Sequence, residues 1–323
     1  MRNVASADLI ALADRNQPRE YLNSADMDHQ TVVAQSRAAI EATIAFGLKQ
    51  MQAPMWEPKP GSETAAELAP AEIRANGSPW GDRPARTAYA AASLMMTGVL
   101  DNLGSLQQLV DNQMPVVGPT LVTRSTVEIT SGIFWLMEPR IGARTRVCRE
   151  LVLSLTSARR AKQLAGEYRA TGWPVSSAIT EAEQQEATVL QRIVDLAIDL
   201  PSGGFSPTIE RQTAPDATHG TAAMLRLLMP SNIPGTAIYR TYSAVMHGEV
   251  YGLMNFMAPG VTTTGTPILH WYLPPDVLDS TVQIALAAFG KSFQQIAEVM
   301  GWGKLPGDLW DQKIRNIYRG LRT

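Results

Sequence analysis

The chain is predicted to be all-α, a bundle of about eight to ten helices. Three observations carry this. Apolar residues recur at three- and four-residue spacing through most long segments, the period of a helix with one buried face. Proline and glycine collect between those segments rather than within them. The alternating apolar and polar runs that make strands are nearly absent. At 323 residues and 45% hydrophobic, the chain is long enough to bury a sizeable core.

Asp28 fits the N-cap of a first helix over 29–51, with Val32, Ala39, Ile40, Ile44 and Leu48 on one side. Residues 52–86 then hold six prolines and three glycines, a density that cannot sustain long regular structure. Only a short helix over 63–76 fits there, and Trp56 and Trp80 read as anchors that pin the excursion to the body.

A helix follows over 86–112, stopped by Pro115, Gly118 and Pro119. Another covers 120–137, with Leu121, Val127, Phe134 and Trp135 as core residues and Pro139 as its stop. Residues 142–171 read as a long arginine-rich helix ended by Gly172 and Pro174. Thr180 and Glu183 have capping-box spacing, opening a helix to about 200 with Val189, Ile193, Leu196 and Leu200 as its stripe.

A second loop-rich region spans 201–220, and its Ser202-Gly203-Gly204-Phe205 reads as a turn because the lysine of a phosphate loop is missing. Helices are expected over 221–229 and about 236–256, then a short extended piece over 268–273. Pro275 opens a core helix that Gly301 stops, and a last helix covers 307–320. The segment from Phe293 to Trp302 has a superficial helix-turn-helix look, but Pro306 and Gly307 would break a recognition helix at its start. The excursion suggests two parts, 1–85 and a bundle over 86–323, which also read as one continuous domain.

The formal net charge is -2, so no global field draws the protein to nucleic acid or an acidic membrane. The one cysteine, Cys148, excludes an internal disulfide framework and a multi-cysteine metal site. With no long apolar run at the start and no membrane-length stretch later, the expectation is a soluble cytoplasmic protein. His29, His219 and His270 are scattered and lack zinc-ligand spacing, so no metal or other cofactor is expected.

Chemistry concentrates in Tyr239-Arg240-Thr241-Tyr242-Ser243-Ala244-Val245-Met246-His247-Gly248. Seven helical residues are two turns less roughly 20°, so Arg240 and His247 leave one face with Ser243 near the line between them. A permanent cation beside a titratable imidazole suits a phosphate-containing substrate. The bland alternative is an internally paired arginine and a histidine that caps or fills a pocket. Tyr239, Tyr242 and Tyr251 surround the pair and offer rings for stacking flat ligands.

One turn apart on an earlier helix, Arg124 and Glu128 read as an i,i+4 ion pair or as a support for Arg240 and His247. Arg144, Arg149, Arg159 and Arg160 lie on the arginine-rich helix, with only Glu150 and Glu167 opposing its cations. They form either a solvated face or an RNA-binding patch.

The segment from Arg240 to His247 resembles the signature of the HEPN superfamily, an arginine followed after four to six residues by histidine on a late helix of an all-helical bundle. The order of Arg124, Glu128, Trp135 and Leu136, an arginine-rich helix and a Tyr-Arg-x-x-Ser-x-x-x-His-Gly segment is similar to that of uncharacterised actinobacterial HEPN-like proteins. The resemblance spans roughly 85–302 through short motifs.

It implies a HEPN-like core and a metal-independent endoribonuclease of defence or stress systems. Members that have lost activity serve instead as binding or assembly modules. It also implies a homodimer, with RNA and an antitoxin or other protein as partners. On this basis His247 moves the proton and Arg240 holds the phosphate, with Ser243, Glu128, Arg124 and Tyr242 in support. Family members often carry a polar residue directly after the arginine, a place that Thr241 fills only weakly.

Overall fold

The computed structural model describes residues 29–52, 56–112, 116–171, 176–204, 206–215, 217–228, 235–261, 267–303 and 305–320. The fold is all-α, as the apolar spacing predicts. Its helices are α1 (His29–Met51), α2 (Glu63–Glu67), α3 (Arg83–Asn112), α4 (Gly118–Leu136), α5 (Gly142–Ala170), α6 (Ser176–Asp195), α7 (Ala217–Leu228), α8 (Gly235–Met246), α9 (Val250–Leu253), α10 (Pro275–Val299) and α11 (Leu305–Gly320). Two small antiparallel ribbons interrupt them: β1 (Thr208–Ile209) with β2 (Gln212–Thr213), and β3 (Met257–Val261) with β4 (Pro267–Trp271). No described helix is long and apolar enough to cross a membrane.

The main core lies where α1, α3, α4, α10 and α11 meet, and burial of their apolar stripes is its chief source of stability. Val32, Ala39 and Ile40 of α1 share it with Leu103 and Leu106 of α3 and Phe289 and Phe293 of α10. Gly290 lets α11 approach, since a methyl group there would land inside the Trp310 ring. The Trp310 indole in turn donates a 3.0 Å hydrogen bond to the Thr43 hydroxyl. A second core joins α5 to α6 and is capped by Trp80, whose indole N–H donates to the Leu196 carbonyl at 3.0 Å. Trp56 packs edge-on against Trp302, so both tryptophans of the excursion are anchors.

Arg146 on α5 is fully buried. Burial alone would make its charge costly, but every arm of the fork finds an acceptor. Nε donates to Glu67 at 2.7 Å, Nη1 to the Leu136 carbonyl at 2.7 Å, and Nη2 to Glu63 at 3.0 Å. Tyr89 donates its hydroxyl to Glu67 at 2.5 Å. The proline-rich excursion is therefore clamped to α5 through the two glutamates of α2.

Several sequence expectations are corrected. The short helix of the excursion covers Glu63–Glu67 rather than 63–76, because the chain turns back to pair Ile73 with Pro79. Helix α6 opens at Ser176 and ends at Asp195, so Thr180 lies inside it and is not its cap. Leu200 falls beyond that helix and is exposed, as is Leu48 of α1. The segment 236–256 is not one helix but α8, a turn, α9 and a 3-10 turn over Met254–Phe256. The extended piece near 268 is one strand of a ribbon whose partner, β3, the sequence reading missed. Asp28, the expected first cap, lies outside the described residues.

Candidate functional site

Helix α8 is held on three sides. Its first residue, Gly235, sits against the backbone of α7 at Arg226, where a side chain would not fit. Tyr239 and Tyr242 point inward and are buried with Val127, Leu225 and Ile284. Burial raises the Tyr242 hydroxyl above its ordinary titration range, and that hydroxyl hydrogen-bonds Thr281 on α10. The neighbouring residues complete the pattern: Thr241 bonds back to the Ala237 carbonyl at 3.1 Å, Ser243 is half-buried, and Arg240 is exposed. Of the four polar side chains from 240 to 243, only Arg240 faces fully outward.

The helix ends in a glycine cap. The Gly248 N–H donates to the Val245 carbonyl at 3.2 Å and the Glu249 N–H to Ala244 at 2.8 Å, with Gly248 at a φ of 68°. These are the paired bonds of a Schellman ending, which needs a left-handed residue where glycine stands. His247 is the last residue before that reversal. Its N–H still donates to the Ser243 carbonyl at 2.9 Å, as a helical residue's would. The seven-residue offset from Arg240 therefore survives although the helix stops, and both side chains are exposed.

Behind α8 stands the pair predicted on α4. Arg124 Nε donates to Glu128 at 2.8 Å and Nη2 donates to the Tyr239 hydroxyl at 3.0 Å. Arg124 also lies 5.0 Å from the centre of the Tyr239 ring. Glu128 thus supports α8 through Arg124 and Tyr239, rather than by touching Arg240 or His247. Tyr251, which is exposed, donates to the Arg240 carbonyl at 3.4 Å and is the tyrosine of the three that presents its ring to solvent.

The proposed basic patch is mostly consumed. Arg144 forms an ion pair with Glu210 and lies over Trp80. Arg149 is buried, pairs with Glu138 at 2.6 Å and donates to Gln212 at 2.9 Å. Arg159 pairs with Glu186 at 2.9 Å and donates to the Gly203 carbonyl at 3.1 Å. Of the four, Arg160 alone is exposed and unpaired among the described residues. The carboxylates come from other elements, which a count along the helix could not reveal. Arg144 holds the Glu210 carboxyl below the usual carboxylate range, and Arg159 does the same for Glu186.

Two open depressions lie elsewhere. One, about 520 Å³, is lined by Glu63, Glu72, Arg140 and Ala143, and the other, about 620 Å³, by Asp199, Ser202, Glu210 and Arg211. His219 and His270 have no described side-chain surroundings. Comparison with protein-family models, with curated proteins and with solved structures finds no match.

Proposed function

We propose that α8 from Arg240 to the cap at His247 is a metal-independent RNA-cleaving site of HEPN type, with His247 and Arg240 as its working groups. The observation that carries this is their joint exposure along α8, Arg240 in its middle and His247 just past its end, while the helix's other side is pinned by buried tyrosines. Both groups reach solvent with neither consumed by an ion pair among the described residues. His247 takes the proton from the ribose 2′-hydroxyl, or returns one to the leaving 5′-oxygen. The 2′-oxygen then attacks the adjacent phosphorus and the bond to the 5′-oxygen breaks, leaving a cyclic phosphate. Arg240 binds the non-bridging oxygens and stabilises the charge that grows on them. Tyr251 offers a face for a neighbouring base.

A second reading, a non-catalytic binding or assembly module, is favoured by a different observation. From 241 to 290 the chain has no lysine or arginine, and three of the four patch arginines are spent on carboxylates. Little positive surface is left to gather a polyanion. Incubation of the full chain with host and phage RNA in excess EDTA separates the two. Cleavage that leaves cyclic phosphate ends and is lost in a folded His247→Ala variant supports the nuclease. Intact RNA throughout supports the module.

A further inference from the structure

The segment that joins α6 to α7 is built as a strap across α5. Between Ala197 and Thr213 its buried apolar anchors among the described residues are Ile198 and Ile209, while Leu200 stays exposed. Its own backbone bonds are mostly internal: Ser202 and Thr208 bond each other at 3.0 and 2.8 Å, and β1 pairs with β2. Segments with few apolar anchors are the ones that open locally. Arginines of α5 tie this one down. Arg159 donates to the Gly203 carbonyl at 3.1 Å and Arg149 to Gln212 at 2.9 Å. Arg144 grips two places at once. Its Nε donates to the two Glu210 oxygens at 3.1 and 2.8 Å, and its Nη2 to the Ala197 carbonyl at 3.0 Å.

The strap is strained where Arg144 holds it. Four residues other than glycine have a positive φ among the described residues, and Ala197 (52°), Glu210 (45°) and Arg211 (67°) are three of them. Ala197 and Glu210 are the two that Arg144 binds. Glu210 and Arg211 make the two-residue turn between β1 and β2, where asparagine and glycine are at ease and longer side chains are not. Such conformations persist only where the surroundings impose them. Among the described residues, both hydrogen-bond acceptors of Arg144 lie on the strap, whereas Arg149 also has Glu138 and Arg159 also has Glu186. The Arg144 side chain is 38% exposed, so an external anion reaches its fork with the strap in place.

We infer that the strap is an autoinhibitory cover, in which Glu210 stands in for the phosphate group of a ligand of Arg144, and that such a ligand displaces Glu210 and opens residues 197–213 while the helices stay folded. A carboxylate and a phosphate meet the arginine fork in the same two-pronged way, and a phosphate group can carry more charge. Displacement frees both strained residues together, so the strain released favours the open form. Opening also takes one acceptor each from Arg149 and Arg159, which leaves more positive charge on α5 for the incoming anion. The inference stands whether or not α8 cuts RNA.

Hydrogen exchange of the full chain, read by mass spectrometry on peptides from 197–213 and from α3 and α10, tests it at constant ionic strength. The strap is expected to exchange about a hundredfold faster than α10 and to respond weakly to low urea, as a local opening does. Millimolar tripolyphosphate should speed the strap several-fold over sodium chloride and leave the helices as they were. Arg144→Gln should open the strap about tenfold further and abolish the response. Glu210→Gln removes the internal competitor and keeps Arg144, so it should open the strap and sharpen the response, which keeps the test decisive if the first variant fails to fold. A single-stranded RNA oligomer with the same effect assigns a nucleic-acid backbone as the ligand, and an effect of tripolyphosphate alone assigns a small phosphate compound. A strap that exchanges only together with the helices overturns the inference, as does exchange that both anions leave unchanged or slow. Catalysis plays no part in these readouts, so failure here and failure of the nuclease proposal are distinguishable.

Discussion

Arg124 on α4 donates a 3.0 Å hydrogen bond to the Tyr239 hydroxyl on α8, and its guanidinium lies 5.0 Å from the centre of the same ring. The residue next to Arg240 is thereby tied to a buried cation on another helix. Tyr239→Phe keeps the ring and removes the bond, leaving a buried donor short of its acceptor. A loss of about 1–3 kcal/mol is expected in urea denaturation, the usual cost of such an orphan. A change near zero would mean the tie holds nothing.

Arg146 clamps the proline-rich excursion to the bundle. Arg146→Ala strands the buried Glu67 carboxylate, which accepts from both Arg146 and Tyr89. Removal of one partner of a buried pair costs roughly 3–5 kcal/mol. The urea midpoint should fall accordingly, with loss of protease resistance near 52–82 preceding global unfolding. A variant as stable as the wild type would contradict this role.

Acid should weaken the fold in a defined window. Glu210 and Glu186 are held below their ordinary value of 4.5 by Arg144 and Arg159. A carboxyl depressed in the folded state contributes stability above its unfolded value and loses it as pH falls through the folded one. Melting temperature is therefore expected to hold above about pH 5 and fall below about 4.5. Glu210→Gln should melt lower at neutral pH and show a shallower acid fall. An identical pH profile in that variant would count against the Arg144–Glu210 contribution.

Cys148 is buried beside Glu210, and burial pushes its thiol up to about 12. The thiolate is the reactive form, so an aromatic disulfide reagent at mildly alkaline pH should not label the native protein. Labelling should appear only with unfolding in denaturant. Rapid stoichiometric labelling of the native chain would show the thiol to be accessible.

The helices were legible because each has its own apolar period and its own breakers. Helix α10 illustrates this, with proline at its start and Gly301, at a φ of 71°, just past its end. The internal limit of α8 was also written, in Gly248, but the apolar residues after it continued the helical period and hid the stop. Ribbon β3–β4 was half visible, because β3 is five residues long and carries Pro259 and Gly260, poor strand formers. At the candidate site, helical spacing predicts only a shared face for Arg240 and His247, and their exposure is set by the fold, in which Tyr239 and Tyr242 take the buried side. The consumption of Arg144, Arg149 and Arg159 did not, since Glu210, Glu138 and Glu186 reach them only through the tertiary fold.

The rate of RNA cleavage in excess EDTA by wild type, His247→Ala and Arg240→Ala, each shown to melt normally, tests the central proposal most directly. The account predicts cyclic phosphate products from the wild type and none from His247→Ala. Arg240→Ala should be slower by about 10² or more, the scale of losing one donor to the transition state. Full cleavage by a folded His247→Ala variant, or no cleavage by the wild type of any host or phage RNA, would contradict it.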